Sequence, residues 1–433
     1  MVRVVTAPKK YDCENKLGFF GNENDYDELI ENDCDFYAPM PMGEENSEEN
    51  IIFKFRKNWF TKEQQDEAYA GLREAATSTE NRGLAAGKEK EKKLGSRDWV
   101  TNYHDELLQY FMKPSATLDG SDPVEDIKAK HRGRENIADD SRGKVWLAQK
   151  VAEENFVFNE WVEEVRHLPQ SEMIAEATRV NNKLTSLTSY ANSVFSGIAG
   201  YFDRYPRIPF GRPTTYTRDN YTKFEKSFPF LQQLSKGFAE LLPVRYGKQL
   251  AACEKLDPKF VIPGTVFTTA TVNKTFRTAY HRDFGDLHEG FSNLTVVSNN
   301  GKYSGGYLIL PEYRVAVNIR PGDLLLINNH EGIHGNTPMV LEDDDAERIS
   351  FVCYFREKML ELGSWDYEQT REEYVTARRK NKEHPLQRPL WNGISPGMWD
   401  EKEWYDFLEH KLGTEVLIQY HPDSQASSLE SFF

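Results

Sequence analysis

Residues 278–286 read TAYHRDFGD, and the fold hangs on how this stretch is understood. On a strand or at its end, His281 and Asp283 project to one side and Arg282 to the other. An imidazole and a carboxylate so placed chelate one metal ion. HxD alone also occurs in ordinary surface turns, so the downstream sequence matters. There, NNHEGIHGNTP (328–338) offers two more imidazoles, His330 and His334, and RISFVCYF (348–355) opens on Arg348. Two imidazoles and one carboxylate with open coordination positions form the facial triad of non-haem Fe(II) oxygenases. His334 is preferred over His330 as the second imidazole, because HGNTP opens the next turn. A guanidinium at the head of an apolar strand is costly unless it meets a carboxylate. Arg348, with Ser350 on the same face, suits the far end of a dicarboxylic cosubstrate. The competing partner is the acidic loop LEDDDAE (341–347).

The surroundings of TAYHRDFGD are strand-like. TVFTTATVN (265–273), NLTVVSN (293–299), GYLIL (306–310), RVAVN (314–318) and DLLLIN (323–328) are short β-rich runs punctuated by turn residues. Such spacing predicts a jelly roll. Upstream, IIFKFRKNWF (51–60) predicts a strand, and Thr61 caps a helix with Glu63 near the capping-box position. NRGLAAGKEKEKKLGSR (81–97) reads as a loop and 143–195 as mainly helical. Pro and Gly punctuate 197–213, and a helix is expected within 228–256. The fold class expected is α+β, a double-stranded β-helix with helical insertions. Its parts are a polar arm at 1–50, a mainly helical region at 51–260, the catalytic core at 261–358 and a helical extension at 359–433.

Composition narrows the class. With 433 residues and 39% hydrophobic content, the chain can bury a substantial core. No apolar run reaches membrane-span length and the N-terminus lacks a signal-like apolar core, so a soluble intracellular protein is expected. Four scattered cysteines predict reduced thiols and no structural zinc. A net charge of −15 opposes generic adhesion to nucleic acid, though not a local basic groove.

HRD followed by FGD, then HGNTP, then RISFVCYF resemble, in order and spacing, the motifs of the TET/JBP family of DNA methyl-pyrimidine dioxygenases. The resemblance spans about residues 262–358, with a fainter echo in NRGLAAGK, and points to a compact microbial or viral type. It implies that His281, Asp283 and His334 bind Fe(II), that Arg348 and Ser350 hold 2-oxoglutarate with Asn273 nearby, and that O2 takes the remaining position. It also implies hydroxylation of a methyl group on a base flipped out of DNA. Asp286 and Arg356, the latter two residues beyond Tyr354, stand where TET enzymes carry other base-contacting residues. A carboxylate at Asp286 accepts from the cytosine amino group, which favours 5-methylcytosine as substrate. Thymine, through its N3–H, is the alternative, and another 2-oxoglutarate-dependent hydroxylation is the third. For DNA contact the candidates are Arg204, Arg207, Arg212, Arg218 and Lys223, interleaved with tyrosines from Tyr201 to Tyr221. Lysines at 88–93, the KAKHRGR segment (128–134) and Arg378–Lys380 read first as solvated charge.

Overall fold

The computed structural model describes residues 2–41, 43–80, 82–87, 91–93, 188–190, 192–204, 208–380 and 401–422. Two compact units emerge. One comprises Met1–Lys90, Tyr190–Asp203 and Gly211–Trp365; the other comprises Glu91–Ser189, Arg204–Phe210 and Asp366–Phe433.

The strands run in chain order as β1 (Arg3–Thr6), β2 (Glu28–Ile30), β3 (Cys34–Tyr37), β4 (Ile51–Arg56), β5 (Thr77–Thr79), β6 (Glu91–Lys93), β7 (Thr188–Tyr190), β8 (Val194–Phe202) and β9 (Arg212–Pro213). They continue as β10 (Thr269–Lys274), β11 (Ser292–Ser298), β12 (Tyr303–Gly305), β13 (Leu308–Leu310), β14 (Val315–Val317), β15 (Leu324–Ile327), β16 (Gly335–Asn336), β17 (Met339–Leu341) and β18 (Arg348–Tyr354). The large sheet is ordered β1-β3-β4-β15-β11-β18-β10-β8-β5, and a smaller one is ordered β16-β13-β14-β2. β11 and β18 are buried along their whole length, as strands covered on both faces must be.

Alternation along β18 sorts its side chains. Ile349, Phe351 and Cys353 join a core with Phe230, Leu234 and Phe238 of the helix Phe228–Leu241. Val352 and Tyr354 join a second core with Leu308 and Leu310 of β13 and Val315 and Val317 of β14. Helices therefore cover one face of the large sheet and the small sheet covers the other. Arg348 and Ser350 share the parity of Val352 and so face the small sheet.

Several expectations are corrected. Residues 1–50 are not a loose arm: β1 pairs in parallel with β3 at one edge of the large sheet, and β2 pairs in parallel with β14 in the small one. Apolar residues embedded in the acidic frame explain this, since Ile30, Cys34 and Phe36 are buried, with Phe36 stacked on Phe53 at 5.0 Å. The 194–202 stretch is a long strand paired with β10, not a helix end followed by a punctuated loop. Its glycines serve close packing: a Cβ on Gly197 would lie 1.8 Å from the Ala75 carbonyl oxygen. Gln64, not Glu63, closes the capping box on Thr61, donating and accepting at 3.3 and 3.0 Å across the pair. Most of the helix expected at 143–195 lies outside the described residues. In the second unit, the helices Trp365–Lys380, Glu401–Leu412 and Thr414–Tyr420 share a core of Tyr367, Tyr374, Val375, Trp404 and Leu408.

Candidate metal centre and its surroundings

His281 and His334 face one another across a backbone bridge, each amide donating to the other's carbonyl at 3.0 Å. Their ring centroids are 4.3 Å apart. Asp283 lies between them, its Oδ1 3.4 Å from His281 Nε2 and its Oδ2 3.8 Å from His334 Nε2. One donor atom from each of the three falls within 4.8 Å of the others. Each Nδ1 meets a backbone carbonyl, Ala279 at 2.8 Å and Gly332 at 3.1 Å. In the neutral rings Nδ1–H donates there, which leaves both Nε2 lone pairs aimed at the carboxylate.

Asn329, which sequence reading passed over, holds Asp283 twice. Its carbonyl accepts from the Asp283 amide at 3.0 Å and its Nδ2 donates to Oδ2 at 3.1 Å. His330 lies outside the cluster, its Nδ1 buried without a partner and its ring 5.4 Å from that of His288. Arg282 points away, donating to the Glu331 carbonyl at 2.9 Å and to Glu14 at 3.1 Å.

One negative charge is divided unequally between the imidazoles. Burial pulls His281 down, but Asp283 beside it leaves the imidazole raised overall. Burial, then the His281 charge, push His334 down to about 4. Burial works to raise Asp283, and the His281 hydrogen bond and both imidazoles hold it below the usual carboxylate range. A divalent cation would satisfy all three donors at once.

Arg348 is buried, and its Nε has no partner. The acidic loop offered as its alternative partner goes elsewhere: Glu347 accepts from Arg73 Nη2 at 2.5 Å and from Tyr69 Oη at 2.7 Å. An uncompensated buried guanidinium is costly, so the site fits an anionic guest. Ser350 and Asn273 are direct cross-strand partners of the same inward row, and Asn273 accepts a hydrogen bond from Ser196. Arg82, from the NRGLAAGK segment, was also missed. Its Nε is buried and unpartnered, and it senses the charges of Tyr354 and Asp283.

The base-contact candidates are more enclosed than expected. Asp286 is buried, accepts from Ser292 Oγ at 2.7 Å and forms a backbone bridge with Arg356. Burial and then the charge of Asp283 push its carboxyl well above the ordinary range. Arg356 is tied to Asp203 by two 3.1 Å hydrogen bonds and lies 3.9 Å over the Phe202 ring. Tyr354 Oη is 3.2 Å from Thr271 Oγ1. Arg212 donates to the Asp203 carbonyl at 2.9 Å and also lies over Phe202. Phe284, one residue past Asp283, is 83% exposed.

The basic–aromatic stretch near 201–223 serves structure more than its composition suggests. Tyr201 and Tyr216 are core residues, Lys223 pairs with Glu74 at 2.6 Å and Arg218 with Asp219 at 2.9 Å. In the second unit Arg204 pairs with Glu368, and Arg378, expected on a solvated face, is buried against Glu403 at 2.6 Å. Arg207, the 128–134 segment, and the side chains of Lys88–Lys93, Arg379 and Lys380 lie outside the described residues. No helix among the described residues is long and apolar enough to cross a membrane.

Comparison with known proteins adds four findings. Residues 197–357 match the sequence profile of Tet_JBP, the oxygenase domain of the 2OGFeDO superfamily. The chain is 37% identical over 193 residues to thymine dioxygenase JBP1-B of Trypanosoma cruzi, covering 42% of this chain and 22% of that one. It is 32% identical over 185 residues to the bifunctional helicase and thymine dioxygenase JBP2 of Leishmania tarentolae, covering 42% of this chain and 16% of the other. The match thus spans about a fifth of those relatives' length. The solved structure of NgTET1 in complex with 5mC DNA aligns with a TM-score of 0.41 and 11% identity, over 87% of this chain and 90% of that one. Residues 197–357 thus resemble the oxygenase domain of the TET/JBP family.

Proposed function

We propose that this chain is an Fe(II)- and 2-oxoglutarate-dependent dioxygenase that hydroxylates the methyl group of thymine in DNA. The observations that carry the reading are the convergence of His281, Asp283 and His334 and the burial of Arg348 with its Nε unpartnered. In this reading the facing sheets are a double-stranded β-helix, and the three residues are the iron ligands. Arg348 and Ser350, with Asn273 in their row, hold 2-oxoglutarate. Bound iron, with cosubstrate and O2, supplies the C–H oxidation that no side chain can perform.

The protein's own work is placement. The carbonyls of Ala279 and Gly332 set the imidazole tautomers, and Asn329 sets the carboxylate. Arg348 offers a two-pronged grip to the distal carboxylate of the diacid. Arg82 adds a buried donor on the Tyr354 side, suited to an anionic ligand near the metal. A duplex base must be flipped to reach the centre, where Asp286, Tyr354 and Arg356 stand to receive it, with Arg212 behind them.

Relatives named thymine dioxygenases support thymine as the base. The enclosure of Asp286 removes the contrary argument. A charged carboxylate favours the cytosine amino group, whereas a neutral carboxyl both donates and accepts, matching thymine O4 and N3–H. The 5-methylcytosine reading keeps one support, since the same neutral carboxyl also complements cytosine N3 and its amino group.

The test is anaerobic Fe(II) loading, followed by 2-oxoglutarate, air, and duplex DNA carrying either thymine alone or thymine plus 5-methylcytosine. Nucleosides are then analysed by mass spectrometry. The expected product is 5-hydroxymethyluracil. 5-Hydroxymethylcytosine alone transfers the assignment to the second base, and succinate release without a modified base sinks both.

A further inference from the structure

Two guanidiniums flank one buried tyrosine with no acid between them. Tyr303 on β12 is 5% exposed, and its Oη makes no hydrogen bond. Arg348 Cζ lies 6.0 Å from the Tyr303 ring centroid and Arg320 Cζ lies 5.1 Å from it. Arg320 also stacks on Tyr307 at 5.7 Å and donates to the Tyr303 carbonyl at 3.3 Å. Among the described residues, neither guanidinium pairs with a carboxylate. Elsewhere in the same unit Arg56 meets Asp35 at 2.7 Å and Arg356 meets Asp203 at 3.0 Å. The acid nearest in sequence is already engaged. Asp323 accepts from the Arg320 and Asn58 amides at 2.8 and 2.9 Å and from Lys57 Nζ at 2.7 Å.

Gly306 lets the chain pack closely here: a Cβ there would lie 3.2 Å from Met339 Cε and 3.5 Å from Arg348 Nε. Burial lowers Arg348, Tyr303 raises it, and the like charge of Arg320 lowers it further. A buried Nε without a hydrogen-bond partner and a second cation on the same ring, with no carboxylate between them, suit an anion.

We propose that Arg320, acting through Tyr303, is a specificity-determining positioning residue for the cosubstrate, adding a second positive pole at the distal carboxylate gripped by Arg348. The pocket thereby selects a 2-oxo diacid over a 2-oxo monoacid. This rests on the reading that the site takes 2-oxoglutarate. Cation stacking between Tyr303 and Tyr307 fixes the Arg320 plane, and the Tyr303 hydroxyl transmits its position to the guest.

Calorimetric titration of Mn(II)-loaded protein with 2-oxoglutarate and with 2-oxobutanoate reads this without turnover. Arg320→Gln should weaken 2-oxoglutarate binding about tenfold, the loss of one charge-assisted contact, and leave 2-oxobutanoate unchanged. Arg320→Lys should restore most of the diacid affinity. Equal weakening of both acids, or none, overturns the inference while leaving the cosubstrate reading intact. Should Arg320→Gln lose its fold by circular dichroism, Tyr303→Phe carries the same test, since it must weaken the diacid selectively. A wild-type protein that binds neither acid removes the cosubstrate reading and this inference together.

Discussion

At the scale of single residues, the centre is a problem of shared charge. Asp283 serves two imidazoles, and the closer one, His281, gains most from it. His334→Ala should lower Mn(II) affinity by more than the roughly 10–100-fold typical of outer-shell changes. His330→Ala should leave it within about threefold, because that ring stands outside the donor set; paramagnetic titration of both variants checks this. The clustering of His281, Asp283 and His334 was legible because HxD and the later His–Arg spacing are local sequence features. Asn329 and Arg82 were not, since an Asn in a turn and an Arg in a Gly-rich loop reveal their targets only after folding. The pairing of Arg356 with Asp203 was hidden for the same reason, the two lying 153 residues apart. The environment of Asp286 was also hidden: sequence offers a carboxylate, and only burial near Asp283 raises it, against Ser292 and Arg356, which lower it.

At the scale of elements, the strands of the core announced themselves by β-branched runs, and the helix Lys62–Leu72 by its cap. Strand β8 did not, because its glycines look like turn signals. They are packing signals: the Ala75 carbonyl occupies the space a side chain at Gly197 would need. Gly197→Ala should therefore destabilise the protein by about 1–3 kcal/mol through overpacking, seen as a lower urea midpoint at unchanged slope. An unchanged midpoint would mean that Gly197 and the Ala75 carbonyl are not packed this closely. The strands at 1–50 escaped reading because each is three or four residues long, too short for periodicity to register.

At the scale of the whole molecule, acid should weaken the fold through its paired carboxylates. Arg73, then Tyr69, hold Glu347 down to about 2 despite partial burial, against an ordinary value of about 4.3. The unfolded chain therefore takes up this proton first as pH falls. The stability contributed by Glu347 is complete above the unfolded value and is lost progressively as pH falls from there toward the folded one. Thermal unfolding between pH 6 and pH 3 should show this slope, and Glu347→Gln should flatten it.

The position of β18 has a consequence for how the protein is made. Among the described residues it is the last strand, yet it sits mid-sheet, between β11 and β10. While the ribosome is still translating, those two neighbours emerge with bare edges that nothing earlier in the chain can cover. Contacts this distant in sequence form slowly, so the nascent polypeptide waits on its final β segment. That same segment delivers Arg348, Ser350 and Tyr354. Closing the sheet and placing Arg348 and Ser350 are then a single event.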